Sequence, residues 1–140
     1  MTRTGSVMVV FVVSLFIATA GGSARADAPH TATQLAKARV AAAAKVYSAT
    51  EAALKVGRGS LDQAYVWSVR WLDAERDRGL RGKALARALH DHTARMKALA
   101  AAVDQQVKTG VAPATSALAA DYYVVEAQLW QARTKPPRRE

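Results

Sequence analysis

The chain has 140 residues, 20 Lys and Arg against 11 Asp and Glu for a formal net charge of +9, and no cysteine. That length holds one small domain or a pair of helical hairpins and excludes a multidomain enzyme. A hydrophobic content of 51% excludes a disordered chain, and the missing thiols exclude a disulfide scaffold and any thiolate metal site.

Arg3 precedes an apolar run from Val7 to Ala20, then Gly21, Gly22 and Ser23, and Ala24-Arg25-Ala26 offers the small residues a signal peptidase reads. A positive start, an apolar run too short to span a bilayer comfortably and a small-residue cut site predict a secretory signal peptide over residues 1–26. The exported chain is then expected to begin at Asp27, without a lipid-modified cysteine, in a periplasmic space. It carries a net +7, and 28 of its 114 residues are alanine. Alanine is the best helix former and lets helix axes approach closely, while β-branched residues are sparse, so the expected fold class is all-α.

Thr31-Ala-Thr-Gln34 reads as a capping box and predicts a helix to about Val56. Its expected seam is Leu35, Ala42, Val46, Ala49, Ala53 and Val56, widened by Val40, Ala43, Tyr47 and Leu54. Gly57-Arg58-Gly59 stops that helix, and Ser60-Leu-Asp-Gln63 opens a second over about 60–78. There Leu61, Tyr65, Ser68 and Leu72 share one stripe and Ala64, Trp67, Trp71 and Ala74 its neighbour. Gly79 and Gly82 flank the next break, with a kinked continuous helix as the alternative. A third helix over about 83–109 alternates by three and four through Leu85, Leu89, His92, Met96, Leu99 and Val103. Gly110 and Pro113 mark a stop and a restart, and a fourth helix over about 114–134 carries Leu118, Tyr122, Val125, Leu129 and Ala132. The Lys135-Pro-Pro-Arg-Arg-Glu140 tail is expected to be a frayed basic end.

Setting Gly57 on Gly110, an offset of 53, aligns the two halves, about 31–78 and 83–134, as long helix, glycine turn, second helix. Repetition of this kind fixes architecture. Short turns force antiparallel neighbours, giving two helical hairpins that either fold back as a four-helix bundle or extend as coiled-coil hairpins.

The run from Lys108 through Gly110, Leu118, Ala120, Glu126-Ala127, Leu129 and Ala132 to Arg133 resembles the hairpin turn of outer-membrane efflux (TolC-like) proteins. Lys55-Val-Gly57 followed by Ser60-Leu61-Asp62 is similar as a second copy. The chain also resembles short exported proteins that keep such hairpins alone. A full channel subunit needs several hundred residues and membrane β-strands. The resemblance therefore implies an exported hairpin architecture, associated with an efflux-type envelope assembly, and not channel activity.

His90-Asp91-His92, with Met96 and His30, is the candidate metal cluster. His90 and His92 point about 200° apart on one helix, so they do not share an ion there. His92 and Met96 share a face on the seam, where packing is the expected role, with Asp91 pairing Arg95 outside. Asp73, Glu75 and Asp77 alternate with Arg70, Arg76, Arg78 and Arg81, the pattern of a solvated helix end. Ser48, Ser60, Ser68 and Ser116 show no nearby His–Asp pattern, and no phosphate-cradling loop is present. Trp67, Trp71, Trp130 and Tyr122 are the aromatic candidates for partner contact, although Trp67 and Trp71 are expected mainly to close the bundle end.

The expected function is an exported, non-enzymatic interaction or scaffold protein that meets a protein partner, or itself, through helix seams. A small periplasmic metal-handling protein using His90, His92, Met96 and His30 is the alternative. No cofactor and no nucleic-acid partner are expected, because the basic residues are dispersed and the chain is exported. Weak contact with an anionic membrane surface fits the basic surplus.

Overall fold

The computed structural model describes residues 31–134; the expected signal peptide, His30 and the tail from Lys135 lie outside them. The described chain is four α-helices without a strand: α1 (Ala32–Lys55), α2 (Leu61–Asp77), α3 (Gly82–Lys108) and α4 (Ala114–Arg133). Local chemistry explains the boundaries. Thr31 accepts from the Gln34 N–H while the Gln34 side chain accepts from the Thr31 N–H, a complete capping box. Ser60 accepts from the Gln63 N–H at the start of α2. The Gly79–Gly82 region is a true break, since α2 ends at Asp77 and α3 starts at Gly82.

The turns closing the two hairpins are the same structure placed 53 residues apart. After α1, Arg58 N–H donates to Ala53 O at 2.9 Å and Gly57 N–H to Leu54 O at 2.9 Å. After α3, Val111 N–H donates to Gln106 O at 2.8 Å and Gly110 N–H to Val107 O at 3.1 Å. Gly57 and Gly110 hold φ of 71° and 72°, the left-handed cap that closes orphaned helix carbonyls. Both turns sit at one end of the molecule, where the Gln106 side chain of the second hairpin donates to the Leu54 carbonyl of the first.

The hairpins fold back on each other as a bundle and do not extend as separate rods. α1 packs on α2, α4 on α3, and α2 on α3; α1 also touches α3 and α2 touches α4, whereas α1 and α4 make no contact. The section is therefore a rhombus with α2 and α3 on its short diagonal. Its core runs from Tyr47, Leu54, Leu61 and Ala64 through Met96, Leu99 and Val103 to Ala120 and Ala127, with Leu72, Ala88 and Leu89 at the other end. Trp67 and Trp71 pack alongside this core in mid-helix, so they do not close the bundle end.

The central helices follow their expected stripes, and α3 buries Leu89, His92, Met96, Leu99 and Val103. The outer helices follow theirs less closely. α1 buries Ala43, Tyr47 and Leu54, three of the residues expected to widen its seam, and α4 buries Ala120 and Ala127, neither of them on its expected stripe. The seams expected from periodicity face outward instead: Leu118 is 70% exposed, Tyr122 62%, Val125 62% and Leu129 45%, with Leu35 55% and Val56 68% on α1. Close approach of two helix axes selects small residues at the contact, so the alanine face of α4 meets α3 and the bulky face is left outside.

The turn geometry separates two kinds of glycine requirement. A Cβ on Gly59 would lie 2.5 Å from Leu54 N and 2.8 Å from Ala53 C, both backbone atoms that cannot move aside alone. A Cβ on Gly110 meets nothing within 4 Å and carries only the left-handed φ cost of about 1–2 kcal/mol. Urea unfolding is expected to show Gly110→Ala losing about 1 kcal/mol and Gly59→Ala losing more, about 2–3 kcal/mol, as overpacking against backbone does.

Candidate functional site

Two features stand out from ordinary packing: a buried polar cluster between the central helices and the bare apolar faces of the outer ones. In the cluster, α2 places Ser68 and α3 places His92 and Arg95. Ser68 and His92 are fully buried. Ser68 Oγ lies 2.9 Å from His92 Nδ1, and Arg95 Nε donates to Ser68 Oγ at 2.8 Å. Ser68 Oγ has one proton and two lone pairs, so while accepting from Arg95 it can pair with Nδ1 of a neutral His92 in either tautomer. The His92 ring stacks on Trp130 of α4, centroids 5.5 Å apart. The Arg95 guanidinium lies over Trp71 at 4.1 Å and near Tyr47 at 5.6 Å, a cation–π arrangement sheltered from water.

Electrostatics keep the ring neutral. Burial first, then the positive charges of Arg95 and Arg76, holds His92 down at about 4. Burial also lowers Arg95, partly offset by Tyr47, Glu75 and Asp91. Tyr47 is raised, chiefly by burial and then by the Glu51 carboxylate. A serine hydroxyl hydrogen-bonded to an imidazole looks like a nucleophile and its base. Here the imidazole is a poor base at neutral pH, its Nε2 has no partner, and neither residue reaches the surface. The cluster positions helices; it has the geometry of chemistry without its access.

Sequence reasoning missed this cluster in two ways. It gave no serine a histidine neighbour, yet α2 and α3 run antiparallel and bring Ser68 onto His92. It also assigned Asp91 to Arg95; instead Asp91 lies 3.9 Å from Arg87, and Arg95 turns inward to Ser68 and Trp71. The available signal was Arg95 itself, three residues after the seam position His92 and so on the same side of α3.

The histidine candidates are separated. His90 is exposed beside Gln131, His92 is tied to Ser68, and Met96 is buried in the core. Among the described residues, no group of three or more His, Cys, Asp or Glu converges on one point. Of the aromatic candidates, Trp67, Trp71 and Trp130 are half-buried in the bundle, and Tyr122 alone stands in the open.

α2 and α4 run parallel and are clamped reciprocally. Tyr65 and Tyr123 stack with centroids 3.8 Å apart and planes at 9°. Tyr65 donates to Glu126, and Tyr123 donates to Asp62 at 2.8 Å. Burial and then the Asp62 hydrogen bond push Tyr123 up to about 12. This clamp fixes the rotation of α4 and so decides which of its faces is bare. The bare face runs Leu118, Tyr122, Val125, Leu129, at spacings of four, three and four, the period of a helix-packing seam. Asp121 and Glu126 flank it. On α1 the bare stripe runs Leu35, Ala38, Ala42, Ala49 and Val56, with half-buried Val46 and Ala53 on its inner edge.

Compared with known families, curated proteins and solved structures, the chain matches none of them.

The buried histidine generates a sign-specific pH dependence. An unfolded imidazole titrates near 6.5 and the folded one near 4, so within that window the unfolded chain binds the proton and the fold does not. The stability contribution is complete above about pH 6.5 and is lost as pH falls towards 4, by about 3 kcal/mol in all. Thermal unfolding followed by circular dichroism should show the midpoint falling across this window. His92→Gln should lower stability at pH 7 and flatten the slope; an unchanged slope would remove His92 as its cause.

Proposed function

We propose that this chain is an exported, non-enzymatic helical interaction or scaffold protein of a periplasmic compartment, serving an efflux-type envelope assembly through its helix seams. The observation that carries the reading is the bare seam on α4, a row of four large apolar residues at helix-packing spacing on a helix whose other face is already satisfied. A second stripe on α1 faces outward too. Isolated exposed apolar residues are normal on any surface, but a periodic row on a rigid helix is the form in which one helix presents itself to another.

Two readings of the sequence support the location and the setting. The N-terminal segment has the layout of a cleaved export signal, and the glycine-turn hairpins resemble those of outer-membrane efflux proteins. Among the described residues, no helix is long and apolar enough to cross a membrane. The net positive charge favours anionic partners and adds weak attraction to anionic headgroups. The buried Ser68–His92–Arg95 cluster holds the central helices in register, and no catalytic role is assigned to it.

The test is photocrosslinking in cells. A benzophenone side chain placed at Val125 should yield discrete protein adducts, whereas the same group at exposed Asp104 on α3 should yield few. N-terminal sequencing of the recovered protein should begin at Asp27. No adduct at Val125 would overturn the interaction reading, and a chain retaining residues 1–26 would overturn the export step.

A further inference from the structure

The internal repeat says what the bare seam is built to meet. Moving 53 residues back from Leu118, Tyr122, Val125 and Leu129 on α4 gives Tyr65, Val69, Leu72 and Arg76 on α2. That α2 row is the face on which the second hairpin packs. Tyr65 stacks on Tyr123, Leu72 is fully buried with Ala88 and Leu89 of α3, and the Arg76 guanidinium lies 5.8 Å from the Trp130 ring. The bare face of α4 is thus the equivalent of a face that already accepts a hairpin.

The complementary surface repeats as well. On α3, Ala88, Arg95 and Gln106 face the first hairpin: Ala88 packs with Leu72, Arg95 reaches Ser68 and Trp71, and Gln106 donates to Leu54 O. The residues 53 earlier on α1 are Leu35, Ala42 and Ala53, which belong to the second outward stripe. One outer helix repeats the accepting face and the other repeats the inserting face.

Charge follows the same order. α1 carries four basic residues and one acidic, α2 two basic and four acidic, α3 five basic and two acidic, and α4 one basic and two acidic. Each packed neighbour in the order α1, α2, α3, α4 is therefore opposite in sign. A further α1 placed on α4 continues the alternation, with Lys45 beside one stripe and Asp121 and Glu126 beside the other. An α4-on-α4 contact would oppose two acidic helices.

We infer that the chain assembles with further copies of itself, head to tail, the α4 seam of one copy receiving α1 of the next as α2 receives α3 within a copy. This rests on the interaction reading above and names its partner. The contact is heterologous, so each copy keeps one free surface of each kind and growth passes beyond two chains. Stacked repeats that contact only their neighbours build this way.

Sedimentation velocity on the purified exported protein tests it. The wild-type chain should shift to faster species as concentration rises to about 100 μM, a range that populates even weak specific contacts. Val125→Glu spoils the α4 surface and Ala42→Glu the α1 surface. Both positions are exposed, so helical content by circular dichroism should be unchanged and each variant alone should be monomeric. Mixed, the two variants should form a species of two chains and nothing larger, because each supplies the surface the other lacks. Lys45→Glu should weaken wild-type association about two- to fivefold, the range of an exposed ion pair.

A wild-type chain that stays monomeric would overturn the inference, as would a mixture that fails to pair. Self-association retained by Ala42→Glu would overturn it in favour of a two-fold contact. A monomeric chain that still gives Val125 adducts with another protein in cells would overturn self-assembly alone. Loss of all adducts would overturn the interaction reading with it.

Discussion

The packing of α2 against α3 is the constraint on which the remainder of the molecule depends. Each central helix touches the three others, whereas α1 and α4 each touch two, so α2 and α3 take the short diagonal of the rhombus and keep α1 and α4 apart. Ser68, His92 and Arg95 lie at that contact, and their hydrogen bonds set its register, because a buried hydroxyl and imidazole without partners would cost stability. Neutral His92 and the Arg95 cation coexist because the cation lies over Trp71 while the imidazole stays uncharged. Displacing either helix by one turn would separate Ser68 from both partners.

From that constraint follows an asymmetry between helices that local sequence makes equal. The two hairpins share turn geometry, helix order and a 53-residue offset. The first supplies its second helix to the centre, and the second supplies its first. Repeat-equivalent residues therefore meet different surroundings: Leu72 is buried while Val125 is open, although Ala74 and Ala127 are both buried. The apolar faces that α2 and α3 spend on each other have counterparts on α4 and α1 with nothing opposite them. Head-to-tail addition restores equivalence, giving every helix of the repeat the neighbours its sequence implies.

Much of the architecture was legible because local rules and tertiary packing agree. The capping residues at Thr31 and Ser60, and glycines at 57 and 110, place helix boundaries within a residue or two. α3 was also legible as a face, since a helix packed against several neighbours carries a broad stripe of Leu, Met and Val. The outer helices misled for a physical reason. α4 has two apolar stripes, one of small residues and one of large; hydropathy ranks the large stripe first, while close helix approach selects the small one. On α1 the contact lies along only one edge of a broad apolar stripe, at Ala43, Tyr47 and Leu54. The Ser68–His92–Arg95 cluster was hidden because its members are 24 and 27 residues apart, and only the antiparallel α2–α3 pairing brings them together. Arginine pointing inward runs against the usual burial order, and only its resting place on Trp71 makes it reasonable.

The account stands or falls on whether the two outward stripes are covered together. Hydroxyl-radical footprinting read by mass spectrometry, over a range of protein concentrations, measures this at each side chain. The account predicts that Leu118, Tyr122 and Leu129 on α4 and Leu35 on α1 become protected over the same concentration range, while exposed Val66 on α2 stays reactive. Stripes that remain equally reactive at every concentration, or protection on α4 without protection on α1, would contradict it.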